Sequence, residues 1–251
     1  MSLENDIQAV VQQEIRRLNR PDLFRDPMVS FSSAQDRRYA ELKTIIGDWH
    51  LLPNELLPSA KTVISYCVPF TEAVANAPKE TPGETYIWGE AYGVINSYFA
   101  HINERLCRFL ADQGFKATPI PATHTYDPID MKCKWSHRSA AVIAGLGTLG
   151  ANRLVITKKG SAVRFCTVIT SAPLTPAETQ AEDRCLYHKD GSCGLCFAVC
   201  PPKALHQDGF DKFACQQVCD INGQQLAKTH ALPEADTCGK CISVCPYAYI
   251  A

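Results

Sequence analysis

Net charge is almost absent from this 251-residue sequence, in which 25 lysines and arginines face 26 aspartates and glutamates. That balance provides no global pull toward nucleic acid or an anionic membrane, and leaves only local patches to act. Long apolar runs are also missing; the longest fall well short of a membrane span. The opening stretch, MSLENDIQAVVQQEIRRLNR, carries acids and has no apolar central region, so it is not read as a signal peptide and the cytoplasm is the expected location. A disulfide framework is excluded too, because the cysteine count is odd and no export signal accompanies it.

Cysteine itself is abundant, with 13 residues. Four are scattered, and Cys67, Cys107 and Cys166 read as small buried hydrophobes. Nine crowd between Cys185 and Cys245, which needs another explanation. A proline-bearing stretch, TSAPLTPAETQAED (170–183), reads as a linker. It divides the chain into a first domain, 1–175, and a second, 176–251.

The first domain mixes periodicities. Ile7, Val10, Val11, Ile15 and Leu18 fall at helical spacing. KTVISYCVPF (61–70) is β-branched and apolar, as a buried strand is. Residues 85–115 read as one long helix with Val94, Tyr98, Ile102, Leu106 and Phe109 on a face and Gly114 as its stop. Residues 153–170 read as a hairpin turning at Lys158-Lys159-Gly160-Ser161. The expected fold class is an α/β (α+β) domain with a mixed or antiparallel sheet, followed by a small ferredoxin-like domain.

In the second domain CGLCFAVCP (193–201) is echoed by CGKCISVCP (238–246). Each half resembles the end of a bacterial ferredoxin run, C-x2-C-x2-C-x3-C-P, without its first cysteine. A C-x2-C pair turns two thiolates toward one cluster, while the cysteine before proline serves the other cluster in two-cluster proteins. Pro201 and Pro246 suit the first position of a helix. This arrangement predicts two 4Fe–4S clusters. Cys193, Cys196 and Cys245 would serve the first, and Cys238, Cys241 and Cys200 the second. Cys185 is the natural fourth ligand of the first, reached by a polar loop folding back. For the second, the spacing leaves Cys215 and Cys219 both open. Zinc sites also use C-x2-C pairs, but zinc does not account for two C-x3-C-P endings.

GLGTLG (145–150) satisfies G-x-G-x-x-G literally. A strand and a turn follow it, with no helix N-terminus to receive a pyrophosphate. It is read as a tight glycine turn where backbone approaches a ligand or another strand.

Three segments together resemble the epoxyqueuosine reductase family over most of the chain: YIWGEAY (86–92), SHRSAAVIAGLGTLGANRLVITKKGSAVRFCTVITSAPL (136–174) and the cysteine-rich stretch. The isolated cysteine after FDKFA matches the family's spacing and favours Cys215 over Cys219. The resemblance implies a first domain akin to the corrinoid-binding domain of reductive dehalogenases. It also implies a corrinoid (cobalamin) beside the nearer cluster, with Tyr86, Trp88, His137, Arg138, Gly145 and Gly147 as its contacts. No histidine is marked as a cobalt ligand. The family's catalytic aspartate aligns at Met131, so a one-residue gap would make Asp130 the proton donor; Cys133 and His137 are alternatives, and a plain turn at Asp130 is another. Further departures are T-L-G-A-N (148–152) for W-I-G-K-[NH], and an end six residues after Cys245 where family members continue into a helical-repeat domain.

The function implied is an iron–sulfur oxidoreductase, fed by a donor such as ferredoxin or flavodoxin and acting on a small molecule or modified nucleoside, with tRNA a doubtful partner and no membrane. Two other readings stand beside it. The chain could carry electrons to, or reductively activate, a separate corrinoid protein, or its clusters could be structural.

Overall fold

The computed structural model describes residues 2–121, 126–127, 129–177, 181–232 and 235–251. Its first half runs α1 (Leu3–Leu18), β1 (Met28–Ser33), α2 (Arg37–Ile45), α3 (Pro53–Leu56), β2 (Thr62–Pro69), α4 (Glu72–Glu80), α5 (Tyr86–Asp112) and β3 (Ala117–Ile120). There follow α6 (His137–Ile143), β4 (Gly147–Leu149), β5 (Val155–Thr157) and β6 (Val163–Thr170). The cysteine-rich stretch holds α7 (Leu186–Asp190), α8 (Leu195–Ala198), β7 (Leu205–His206), β8 (Gly209–Phe210), α9 (Lys212–His230) and α10 (Lys240–Ser243).

The main sheet has the order β1-β2-β6-β3, and every pairing is antiparallel. All eight residues of β2 are buried, so the sheet is covered on both faces. Alternation along the strand sorts the side chains between those faces. Ile64, Tyr66 and Val68 pack with Ile7 and Val11 of α1 and Ile95, Phe99 and Ile102 of α5. Val63 joins Tyr39 of α2 and Ile143 of α6, and Cys67 joins Ala141 of α6. The result is three layers, helix–sheet–helix.

The long helix α5 ends as expected, with Gly114 at φ 81°. Its fully buried line is Ile95, Phe99, Ile102, Leu106 and Leu110, while Val94, Tyr98 and Phe109 flank that line half-buried. Asn96 and Asn103 are buried on the same helix, and Asn103 accepts a 2.7 Å bond from the Tyr66 hydroxyl.

Two expectations are corrected. First, β5 and β6 do not form a hairpin with each other. β5 pairs instead with β4, through a turn closed by Gly150 N to Leu154 O at 2.8 Å. The glycine motif makes this possible, since a side chain at Gly147 would collide with the Ile156 carbonyl. The backbone at 159–162 is then free for the end of the chain: Ser161 N bonds to Tyr247 O at 2.9 Å, Ala162 N to Ala248 O at 2.9 Å, and Ile250 N to Lys159 O at 3.3 Å. Second, Pro201 and Pro246 open turns, not helices. After Pro201 the chain reverses at Lys203, φ 55°, and runs into the β7–β8 pair; after Pro246 it extends along 159–162.

Candidate metal centres and the concavity beside them

The nine crowded cysteines come close together in space, and four of them share one cavity. Cys185, Cys193, Cys196 and Cys245 line one cavity with Ala151, Ile156 and Tyr187. Their thiols are within electrostatic reach of one another. The stretch between Cys185 and Cys193 is the one-turn helix α7, closed by Gly191 at φ 72°, and this turn returns Cys185 to the cavity. Ala151 N–H points at Cys185 Sγ over 3.4 Å. Burial pushes the Cys196 thiol up to about 11.

Cys200, Cys215, Cys238 and Cys241 lie within electrostatic reach of one another, with Cys219 near Cys238 and Cys196 of the first cavity near Cys241. Cys245 thus joins the cavity of the other half, and Cys200 lies near Cys238 and Cys241. Leu205 N–H points at Cys200 Sγ over 3.4 Å. Cys215 lies on the first turn of α9, whose N-cap Asp211 accepts from the Phe213 and Ala214 amides. Cys219, one turn on, shares a hydrogen bond with Cys215 that holds the Cys215 thiol down to about 7 and raises Cys219. Arg138 lowers Cys215 further. Asn152 spans the two groups: it lines the first cavity, and its Nδ2 donates to the Cys241 carbonyl at 3.1 Å.

Trp88 is 3% exposed. It donates from Nε1 to Thr237 Oγ1 at 3.0 Å, and its indole fills the space where a side chain at Gly239 would stand. Gly239 has φ 76°, a conformation glycine adopts freely. Trp88 therefore braces the Cys238–Cys241 loop. Tyr86 is 43% exposed and rests against the His230 ring. Gly145 lines a separate groove with Gln8, Gln12 and Ser30, and Gly147 lies against Ile156. Of the six residues named for the corrinoid, the structure brings only His137 and Arg138 together.

Both stand on the first turn of α6. Arg138 is solvent-accessible and donates from Nη1 to the Arg153 carbonyl at 3.0 Å. Arg164 of β6 and the thiols of Cys215, Cys133 and Cys241 act on it electrostatically. His137 is held from both sides, with Nδ1 2.8 Å from Thr167 Oγ1 and Nε2 2.9 Å from the Pro121 carbonyl. A carbonyl only accepts, so Nε2 carries the proton and Nδ1 accepts from the Thr167 hydroxyl. Burial moves the ring's pKa down to about 4, which leaves it neutral. Tyr92 lies under Arg164, 4.3 Å from guanidinium carbon to ring centroid, and burial raises its phenol.

Asp130 sits on the loop that bounds this region. Its carboxylate meets Lys132 Nζ at 2.8 Å, and that bond holds its pKa below the usual range. It is therefore ionised at neutral pH. Cys133 donates to the Trp135 carbonyl at 2.9 Å. Sequence reasoning passed over Arg164 and singled out Tyr92 only as part of a motif. The signal for Arg164 was a lone charge in VRFCTVIT, a strand whose other seven residues are buried.

No family model matches the chain. The epoxyqueuosine reductase of Bacillus cereus is 29% identical over 164 residues, which is 62% of this chain and 39% of that protein. The structure of epoxyqueuosine reductase from Streptococcus thermophilus superposes with a TM-score of 0.61 at 20% identity, covering 99% of this chain and 66% of that one. A catabolic reductive dehalogenase superposes at 0.59 and 14% identity, over 89% of this chain and 30% of its own. The fold is thus the one shared by epoxyqueuosine reductases and reductive dehalogenases. Within that class, this chain is a distant homologue of the epoxyqueuosine reductase family. It spans about two fifths of the length of the Bacillus cereus relative. Among the described residues no helix is long and apolar enough to cross a membrane.

Proposed function

We propose that this chain is an iron–sulfur reductase of the epoxyqueuosine reductase type. The observation that carries the reading is the convergence of Cys245 on Cys185, Cys193 and Cys196 in one cavity, with Cys200, Cys215, Cys238 and Cys241 close together beside it. Cys185, Cys193, Cys196 and Cys245 would hold one 4Fe–4S cluster, and Cys200, Cys215, Cys238 and Cys241 the other. Among the described residues, no three Cys, His, Asp or Glu side chains close on the position of a single ion. Amide N–H groups point at two of the sulfurs, as they do around cluster thiolates.

Bound at these sites, the clusters would carry single electrons and a corrinoid beside them would supply low-valent cobalt. Tyr92, Asn96 and the His137 wall would hold the corrinoid. Both nitrogens of His137 are engaged, which fits binding without a protein histidine on cobalt. The phenol of Tyr92 keeps its proton at neutral pH and can donate it; the ionised Asp130 cannot do so until it is protonated. The electron donor is of the ferredoxin or flavodoxin type, and the substrate is a small molecule or a modified nucleoside.

Cobalamin titration of the anaerobically reconstituted protein tests the corrinoid half. A spectral change at micromolar cobalamin, weakened in Tyr92→Ala, is expected. The dispersal of Tyr86, Trp88, Gly145 and Gly147 favours a second reading, that of an electron carrier or reductive activator for a separate corrinoid protein. Unchanged cobalamin spectra together with intact clusters would select that reading.

A further inference from the structure

The groove that Gly145 lines has a volume of about 530 Å³. Ile156 stands in its wall and also in the wall of the cavity of Cys185, Cys193, Cys196 and Cys245. One buried side chain therefore separates the groove from that cavity. Three cations border the groove, Lys158, Lys159 and Arg184. The chain itself ties each of them to the four cysteines. Arg184 directly precedes Cys185. The turn that carries the lysines is bonded to the segment after Cys245, through Ser161 N to Tyr247 O at 2.9 Å and Ile250 N to Lys159 O at 3.3 Å. Among the described residues Lys158 and Arg184 form no ion pair. Lys159 donates to the Asp26 carbonyl at 2.8 Å. The one acid among the described lining residues, Glu182, is held by Lys189 at 3.0 Å. The border therefore keeps an excess of positive charge on a chain whose net charge is −1. Lys158 is exposed, and Lys159 and Arg184 are half-buried, so these charges stand on an open rim. Charges so placed steer a protein of opposite sign, whereas a small ligand calls for polar groups converging inside a closed pocket.

We propose that this groove is the docking surface of an acidic electron-donor protein, and that electrons enter the chain there, through the wall at Ile156. The electron route rests on the reductase reading; the docking surface does not. The donor gives up one electron and the holoprotein gains one, and no bond forms or breaks. Electron transfer falls off steeply with separation, so a wall one side chain thick admits it. The three cations draw a carboxylate-rich face to the rim. Met28, Val29 and Leu146 supply the apolar lining on which the contact closes.

Calorimetric titration of the anaerobically reconstituted full chain with two probes, an oxidised flavodoxin and an oxidised plant-type ferredoxin, tests the surface. At least one should bind, with an affinity that falls about tenfold or more between about 50 and about 500 mM salt. Lys158→Glu combined with Arg184→Glu should weaken it by a similar factor, chiefly through the association rate, and should slow reduction of the chain by the reduced probe in stopped flow. Lys158→Glu alone, at an exposed position, should act in the same direction and keep the parent's iron content. Lys228→Glu, exposed on the last turn of α9, should leave binding and reduction unchanged. No binding of either probe, or the same affinity in the double variant as in the parent, overturns the proposal. So does free flavin mononucleotide that saturates the groove and blocks the flavodoxin, because the groove would then be a seat for a small phosphate-bearing ligand. Failure of the reductase reading shows separately, as charge-dependent probe binding to a chain that holds no iron.

Discussion

The two cysteine groups have the same local spacing and different surroundings. The first sits in a largely apolar cavity behind Ile156 and Tyr187. The second has a solvent-accessible cation and a spare thiol beside it. Identical C-G-x-C-x-x-V-C-P strings thus end in unlike environments, because the elements packed on them differ. The first group is covered by the β4–β5 turn, and the second by Trp88, Arg138 and α9. A relay needs only insulation, while a terminal centre needs access to what it reduces. The surroundings favour the second group for the latter role.

The largest effects should come from the brace and the ligands. Trp88→Ala removes the indole from under Gly239 and should cost about 3–5 kcal/mol in thermal unfolding of the full chain. The second cluster should be lost before the first. Equal loss of both clusters would erase the distinction between the groups. Cys185→Ala and Cys215→Ala should each remove or convert one cluster, while Cys219→Ala keeps the full iron content; iron and sulfide analysis reads all three. Cluster loss in Cys219→Ala but not in Cys215→Ala would reverse the assignment within α9.

Gly239→Ala comes next. The left-handed backbone and the indole contact should together cost about 1–3 kcal/mol. The same change at Gly191, also left-handed but with open space around it, should cost less. Arg138→Gln should lower the midpoint potential of the second cluster by on the order of tens of millivolts and leave the first in place. Redox titration followed by electron paramagnetic resonance separates the two, and a shift confined to the first cluster would contradict the placement of Arg138.

The smallest effect is on pH dependence. Burial depresses the native pKa of His137 to about 4 and also lowers that of His50, from an ordinary 6.5. The unfolded chain therefore binds more protons than the native one below that value. Stability from these groups is present above pH 6.5 and is lost as pH falls toward 4. His137→Gln should flatten the slope of chemical stability across this window. An unchanged slope would place the His137 ring in water.

Much of this was legible in residue patterns. The buried strand at 62–69 and helix α5 followed from apolar runs, and the approach of Cys245 to Cys185, Cys193 and Cys196 from cysteine spacing. The hairpin partner was not legible, because β5 and β6 are both apolar and only long-range packing decides which strand each meets. The glycine motif held the answer, in the close approach of Gly147 to Ile156, but a string cannot say which backbone approaches. Trp88 illustrates the same limit. An aromatic residue near a motif fits a cofactor contact or a brace equally well until its neighbour, Gly239, is 151 positions away in sequence and adjacent in space. Arg164 was visible as a charge in an apolar strand, but its stacking over Tyr92 belongs to the fold.

The central claim is that the chain holds two crossed clusters, and iron and acid-labile sulfide counted on anaerobically reconstituted protein test it most directly. The account predicts about eight irons and eight sulfides per chain, the content of two 4Fe–4S clusters. Zinc in their place, or iron saturating near four per chain under full reconstitution, would contradict it.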